Sequence, residues 1–316
     1  MRIGFLSNAS LAELDWAQQH GFGSIEWVAF EHSAAAQPEA DWRHAAGQVA
    51  AAARERGLRI SAIGALYRNP LDPAQTQRAR TLFTRAIEVA GHLGVRTVAG
   101  FAGLPLEITT HERGGNPVYF AAEKHLAALL AFWRPLAAFA AERGVRIAFE
   151  HCPQGPFHLP VMHYNYLGQP ALWERFFEAA GCANLGLEWD ASHLVCQLID
   201  PVENLRRFGA RVFHVHAKDA RLNRHLLALH GICHPGVAEH CWPGLGDSNW
   251  PAIVSELLRA GYDSDLNLEG WHDPVYRDHP PGAPDDRLAG QQLEATGRLF
   301  AKRVLEPLVP PETSAP

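Results

Sequence analysis

Four short apolar runs in this 316-residue chain end in side chains that can ligate a metal or move a proton: Glu150, Asp190, His216 and Glu269. The third run is the most telling. Val212 and Phe213 favour a strand, and His214 and His216, two residues apart, point to the same face of it. Lys218 and Asp219 follow at once, and such a concentration of ionisable groups is costly in an apolar core. A strand ending this way marks a site at its carboxyl end. Any one of the four could be a solvated rim residue. Together they form a donor set suited to a hard or borderline divalent metal. Three carboxylates meeting without a cation would repel and shift one another's pKa values, a conflict that a metal resolves.

The elements that must position these groups alternate along the chain. Strands are expected over 2–7, 24–28, 58–63, 95–99, 145–150, 184–190, 211–216 and 265–269. Helices are expected over 10–20, 38–56, 74–93, 118–143, 170–180, 201–208, 250–260 and 287–304. Ser10 is suited to cap the first helix, and Gly21, Gly57, Gly94, Gly144 and Gly261 stop helices. Strict alternation implies a parallel sheet, and eight units in this length predict an α/β fold of the closed (β/α)8 barrel type. One domain over 1–306 is expected, with a proline-rich disordered tail over 307–316. The carboxyl ends of barrel strands share one face, so the four candidate ligands would close adjacent strands five to eight. The long connections 100–117, 151–169, 217–249 and 270–286 lie on the same face, where such insertions carry function or act as lids.

Composition narrows the class. An apolar fraction of 47% suits a globular protein with a large core, and a net charge of -6 argues against a duplex nucleic-acid binder. No apolar run approaches the roughly 20 residues that span a bilayer. Strand-like sequence from Arg2 to Leu6 predicts no signal peptide. Five scattered cysteines without a CxxC pair point to reduced thiols and a cytoplasmic location. No glycine-rich nucleotide cradle is present, so no nicotinamide cofactor is expected.

With these residues in view, the chain resembles the xylose-isomerase-like superfamily of TIM-barrel sugar isomerases and epimerases. The matching pieces are Phe149-Glu150-His151-Cys152-Pro153, the run from Gly186 through Asp190 to His193, His214-Val215-His216-Ala217-Lys218-Asp219, Pro243-Gly244-Leu245-Gly246, and Leu268-Glu269. The resemblance implies one divalent metal, manganese first, with cobalt, magnesium and zinc as alternatives, held by Glu150, Asp190, His216 and Glu269. It also implies that Glu150 and Glu269 shuttle a proton at a sugar carbon, that His193 faces the substrate, and that Lys218 polarises a substrate oxygen. A plain salt bridge to Asp219 or a nearby glutamate is the other reading of Lys218. A metal on the carbonyl oxygen would stabilise the enediolate formed when a carboxylate removes the neighbouring proton.

The expected partner is thus a small carbohydrate, with no nucleic acid and no membrane, and the family's habits suggest a homo-oligomer. The same enolisation could instead expel a leaving group from a keto-sugar, keto-glycoside or keto-inositol, giving lyase, deglycosidase or dehydratase chemistry. Apurinic endonucleases share the barrel but use more histidine ligands. His214 is expected deeper in the barrel, His151 faces away from the ligands, and Glu26 is either functional or a structural hydrogen-bonding group. Trp271 and His272 could line a sugar-binding mouth. The run of His230, Cys233, His234, His240 and Cys241 matches no closed zinc site and reads as a mobile lid.

Overall fold

The computed structural model describes residues 1–65, 68–105, 109–110, 117–119, 122–153 and 165–310. The chain begins with β1 (Ile3–Ser7), α1 (Leu11–Gln19), β2 (Ser24–Trp27), α2 (Trp42–Glu55), β3 (Arg59–Gly64), α3 (Thr76–Leu93) and β4 (Thr97–Gly100). Two short antiparallel strands, β5 (Thr109–Thr110) and β6 (Pro117–Tyr119), precede α4 (Ala122–Ala141) and β7 (Arg146–Glu150). Next come α5 (Pro170–Ala180), β8 (Leu185–Asp190), α6 (Ala191–Val195), α7 (Pro201–Phe208) and β9 (Val212–Ala217). The hairpin β10 (Asp219–Leu222) and β11 (Ala238–Cys241) encloses α8 (Arg224–His230). The chain then forms α9 (Trp250–Arg259), β12 (Leu266–Leu268) and α10 (Glu294–Leu305).

Eight strands close a parallel barrel in the order β1-β2-β3-β4-β7-β8-β9-β12, as the alternation predicts. The four candidate ligands lie within one residue of the ends of β7, β8, β9 and β12, which are neighbours in the ring. Their cores are apolar: Ile147, Leu187, Val215 and Leu266 are completely buried.

Local chemistry sets the boundaries. The Ser10 side chain accepts from the Glu13 amide at 3.3 Å and starts α1. The α2 helix starts at Trp42 rather than at 38, because the Asp41 carboxylate accepts from the His44 amide at 3.2 Å. Two 3-10 turns, Phe30–His32 and Ala34–Ala36, fill the span before it. The closing helix also starts later than expected, at Glu294. The preceding stretch carries Pro280, Pro281 and Pro284 and left-handed Gly282 and Gly290, and Asp286 accepts from the Leu288 amide at 2.9 Å. The expected mobile lid is replaced, over 219–241, by the ordered hairpin and its helix. The expected disordered tail begins instead with a 3-10 turn, Glu306–Leu308, and 311–316 lie outside the described residues.

Contacts gather the chain into two compact units: Met1–Phe5 with Asp190–Ala210 and Val215–Pro316, and Leu6–Trp189 with Arg211–His214. In the second, the buried Trp133 ring meets Phe83, Phe132 and Phe149 edge-on at 4.7 to 4.9 Å. Its indole N–H donates to the Ala102 carbonyl at 2.7 Å, so its polar atom is satisfied as well. In the first, Trp242 is buried and donates to the Tyr276 carbonyl at 2.7 Å. Gly270 and Gly297 lie against this indole so closely that a Cβ on either would collide with it.

Two helix glycines therefore predict opposite outcomes. Gly297→Ala in α10 would gain about 1 kcal/mol of helix propensity, but overpacking against Trp242 costs about 1–3 kcal/mol, so net destabilisation is expected. A Cβ at Gly47 in α2 meets nothing within 4 Å, so Gly47→Ala should raise stability by about 0.5–1 kcal/mol. Urea midpoints of the two variants, moving in opposite directions, check both assignments.

Candidate metal centre

The first compact unit holds Asp190, His193, His216, Lys218 and Glu269 in direct contact. Asp190 is the last residue of β8 and also caps α6: one carboxylate oxygen accepts from the Ser192 amide at 2.8 Å. The strand thus turns straight into a helix, which brings His193 back over the carboxylate. His193 Nε2 lies 3.1 Å from Asp190 Oδ2, and Lys218 Nζ lies 3.3 Å from the same oxygen. Lys218 also donates to Glu269 Oε1 at 2.9 Å, and His216 Nδ1 lies 3.1 Å from Glu269 Oε2. Although β12 ends at Leu268, the Glu269 amide continues its ladder by donating to the Ala217 carbonyl at 3.2 Å.

These groups are almost dry. Asp190 is 0% exposed, Lys218 and His216 1%, His193 2% and Glu269 6%. Burial pushes the Glu269 carboxyl up. The Lys218 charge and the His216 contact outweigh it and hold the carboxyl well below the usual carboxylate range. Two more imidazoles extend the cluster: the His240 ring lies 5.3 Å from His193 and 5.6 Å from His272. Burial first, then the Lys218 charge, lowers both histidines, His272 to about 4, so both are neutral imidazoles at pH 7.

Glu150, the last residue of β7, is 7% exposed and belongs to the other unit. There the Asn165 side chain donates to its carbonyl at 2.8 Å and to that of Cys152 at 3.0 Å, pinning the strand's exit. His151 follows the end of the strand, is completely buried, and its ring lies against Trp173 at 4.7 Å. His214 is deeper, as expected: Nδ1 lies 2.9 Å from Glu188 Oε1 and Nε2 lies 3.1 Å from Ser61 Oγ. Glu26, completely buried like His214 and Glu188, joins this group at 3.7 Å from His214.

Lys218 is ion-paired with Glu269 and Asp190, not with Asp219. Asp219 does different work. Its carboxylate accepts from the amides of Ala220, Gly244 and Ser248 and from the Trp250 indole, at 2.8 to 3.2 Å. Burial raises its carboxyl, and these four donors offset only part of that rise. A Cβ at Gly246 would run into this carboxylate, which is why the Pro243-to-Gly246 element needs its second glycine.

Sequence reasoning left two participants unused. Glu188 sits two residues before Asp190 in β8, so strand periodicity alone put it on the same face. His240 was set aside with the zinc-like run. Its contacts with the site depend on a hairpin that the sequence did not reveal.

Removing Lys218 tests the electrostatics. Lys218→Met leaves two buried carboxylates without their cation and should cost about 3–5 kcal/mol in chelator-treated protein. Glu269's folded pKa is depressed, so its contribution is complete above the ordinary carboxylate range and lost as pH falls through the depressed value. The gap between wild type and variant, read by urea unfolding, should therefore narrow in acid.

Comparison with known proteins follows the same lines. An uncharacterized protein of Bacillus subtilis (strain 168), YfiH, is 30% identical over 174 residues, 52% of this chain and 53% of that protein. The chain thus matches about half the length of this curated relative. The structure of D-psicose 3-epimerase from Clostridium cellulolyticum H10, with D-tagatose, superposes with a TM-score of 0.67 at 15% identity, covering 98% of this chain and 99% of that one. The structure of IOLI protein with a zinc atom superposes with a TM-score of 0.64 at 17% identity, covering 98% and 99%. At these identities the likeness is one of fold. The family model for the xylose isomerase-like TIM barrel matches residues 14–296, and the chain belongs to that family.

Proposed function

We propose that this chain is a sugar isomerase or epimerase that holds one divalent ion with Glu150, Asp190, His216 and Glu269. In this reading Glu150 and Glu269 move a proton at a carbon beside a carbonyl. The observation that carries it is the buried ammonium of Lys218, lodged between Asp190 and Glu269 with His216 on the other Glu269 oxygen. A fixed cation between two dry carboxylates supports the reading that this position calls for positive charge.

The donor set fits a divalent ion. All four side chains are buried, and the three that share one compact unit, Asp190, His216 and Glu269, each offer a ligand atom within 4.8 Å of one another. Three carboxylates and one imidazole suit manganese, with cobalt, magnesium and zinc as alternatives. The zinc-bound structural neighbour and the sugar epimerase on the same fold support the same reading. When bound, such an ion supplies charge that polarises a carbonyl and acidifies the neighbouring C–H.

The protein's own groups supply the rest. Glu269 stays ionised beside Lys218, ready to ligate or to accept a proton. A second glutamate, Glu150, on another strand allows the proton to return to a different carbon or to the other face. His193, tethered at 3.1 Å to Asp190, is held where it can contact a substrate hydroxyl. Burial of the cluster keeps bulk water from quenching the carbanionic charge.

Screening ketohexoses and 3-keto-glucosides with wild type, Glu150→Gln and Glu269→Gln tests this. Both variants should melt near wild type while turnover falls by about 10²–10⁴-fold. Undiminished turnover in either would remove the two-carboxylate mechanism. Aglycone release from a keto-glucoside without an epimerised product would reassign the same proton abstraction to elimination.

A further inference from the structure

The hairpin between β9 and α9 is not part of the barrel ring, yet it delivers an imidazole to the candidate centre. We propose that His240 is a specificity-determining residue that hydrogen-bonds a sugar hydroxyl remote from the reacting carbons, working with His272. The inference rests on the isomerase or epimerase reading and deepens it: the preferred substrate is a polyhydroxylated sugar whose far end carries the hydroxyl that His240 reads.

The hairpin register aims the side chain. Arg221 stands opposite Glu239, and the two exposed side chains form an ion pair at 2.9 Å. Ala220 stands opposite His240, and with a period of two these residues occupy the other face. Ala220 is 0% exposed and offers only a methyl group, leaving room on that face for the imidazole. His240 is partly buried on that face, between the two other imidazoles of the cluster.

The surroundings define what it could bind. On one side is His193, whose own ring is fixed to Asp190 at 3.1 Å. On the other is His272, 3.6 Å from Glu269 and tilted against the exposed Trp271 ring. The His193 and His240 rings, 5.3 Å apart, are spaced to meet hydroxyls on different carbons of one chain. Imidazole, which can donate and accept, suits a hydroxyl, and the neighbouring indole face suits sugar C–H groups.

The position is rigid enough to discriminate. Asp219, the first residue of the hairpin, is held by four donors, and Cys241, next to His240, is completely buried. Trp242 then wedges between Gly270 and Gly297. A side chain carried on so fixed a ribbon loses little freedom on binding, which favours selectivity.

The test uses the full-length, manganese-loaded protein with the ketohexose it turns over fastest and the 4-, 5- and 6-deoxy analogues of that sugar. For the parent sugar, His240→Ala should raise KM about tenfold, the cost of one hydrogen bond lost in a desolvated site. His240→Gln should recover part of that loss, and Glu239→Ala, on the solvent face, should change nothing. For one deoxy analogue, wild type and His240→Ala should have the same KM, and metal content should equal wild type throughout. Equal KM for all sugars in wild type and His240→Ala, or the same loss for the parent and every analogue, would overturn the assignment while leaving the isomerase reading intact. If wild type turns over no sugar, that reading fails and this inference falls with it.

Discussion

The burial of several acidic side chains beside one ammonium is the constraint on which this molecule turns. Asp190 and Glu269 end barrel strands at positions where water is almost excluded. Ionised carboxylates survive there only with compensating charge or hydrogen bonds. Lys218 supplies that charge to both, and its own burial is tolerable only because both are there. The three groups come from β8, β12 and the residue following β9, so the arrangement exists only when these strands are in register. His216 opposite Asn267, and the Glu269 amide on the Ala217 carbonyl, provide that register.

A second, less obvious dependence runs through Asp219. Chemically it looks like another member of the acidic cluster, but its oxygens are occupied by backbone amides and an indole. It ties the start of the hairpin to the loop around Gly246 and to the start of α9. Lys218 and Asp219 are adjacent yet do different jobs, one balancing charge in the site and the other fixing the insertion beside it. Trp242 extends the same logic. Its ring needs glycine at 270, immediately after Glu269, so packing around the indole helps place the Glu269 carboxylate.

Much of this was legible in the sequence, for identifiable reasons. Helices ending at Gly94 and Gly181 and starting at Pro170 or Pro201 have strong local signals, and their backbone conformations show why: both glycines are left-handed. Strand-end chemistry singled out Asp190, His216 and Glu269, and the structure brings them together because barrel topology makes strand ends converge. The insertions were opaque. The strand at Ala238–Cys241 has only four residues, half of them charged or polar, and is defined by pairing with Asp219–Leu222. Its histidine could therefore not be assigned to the site by pattern alone. The position of α10 was misread because the 287–293 stretch looks helical by composition but is committed to turns by Asp286 and the bridge between Asp278 and Gln292. The partner of Lys218 was undecidable from sequence, since Asp219 and a nearby glutamate were both candidates and only the fold brings Glu269 beside it.

The claim that these strand ends form a metal centre is tested most directly by elemental analysis of protein purified without chelator, alongside His216→Ala. The account predicts about one manganese, cobalt, magnesium or zinc ion per wild-type chain, removable by chelator, and little or none in the variant. Wild-type protein that takes up no divalent ion even after soaking, or a His216→Ala variant that retains its full complement, would contradict it.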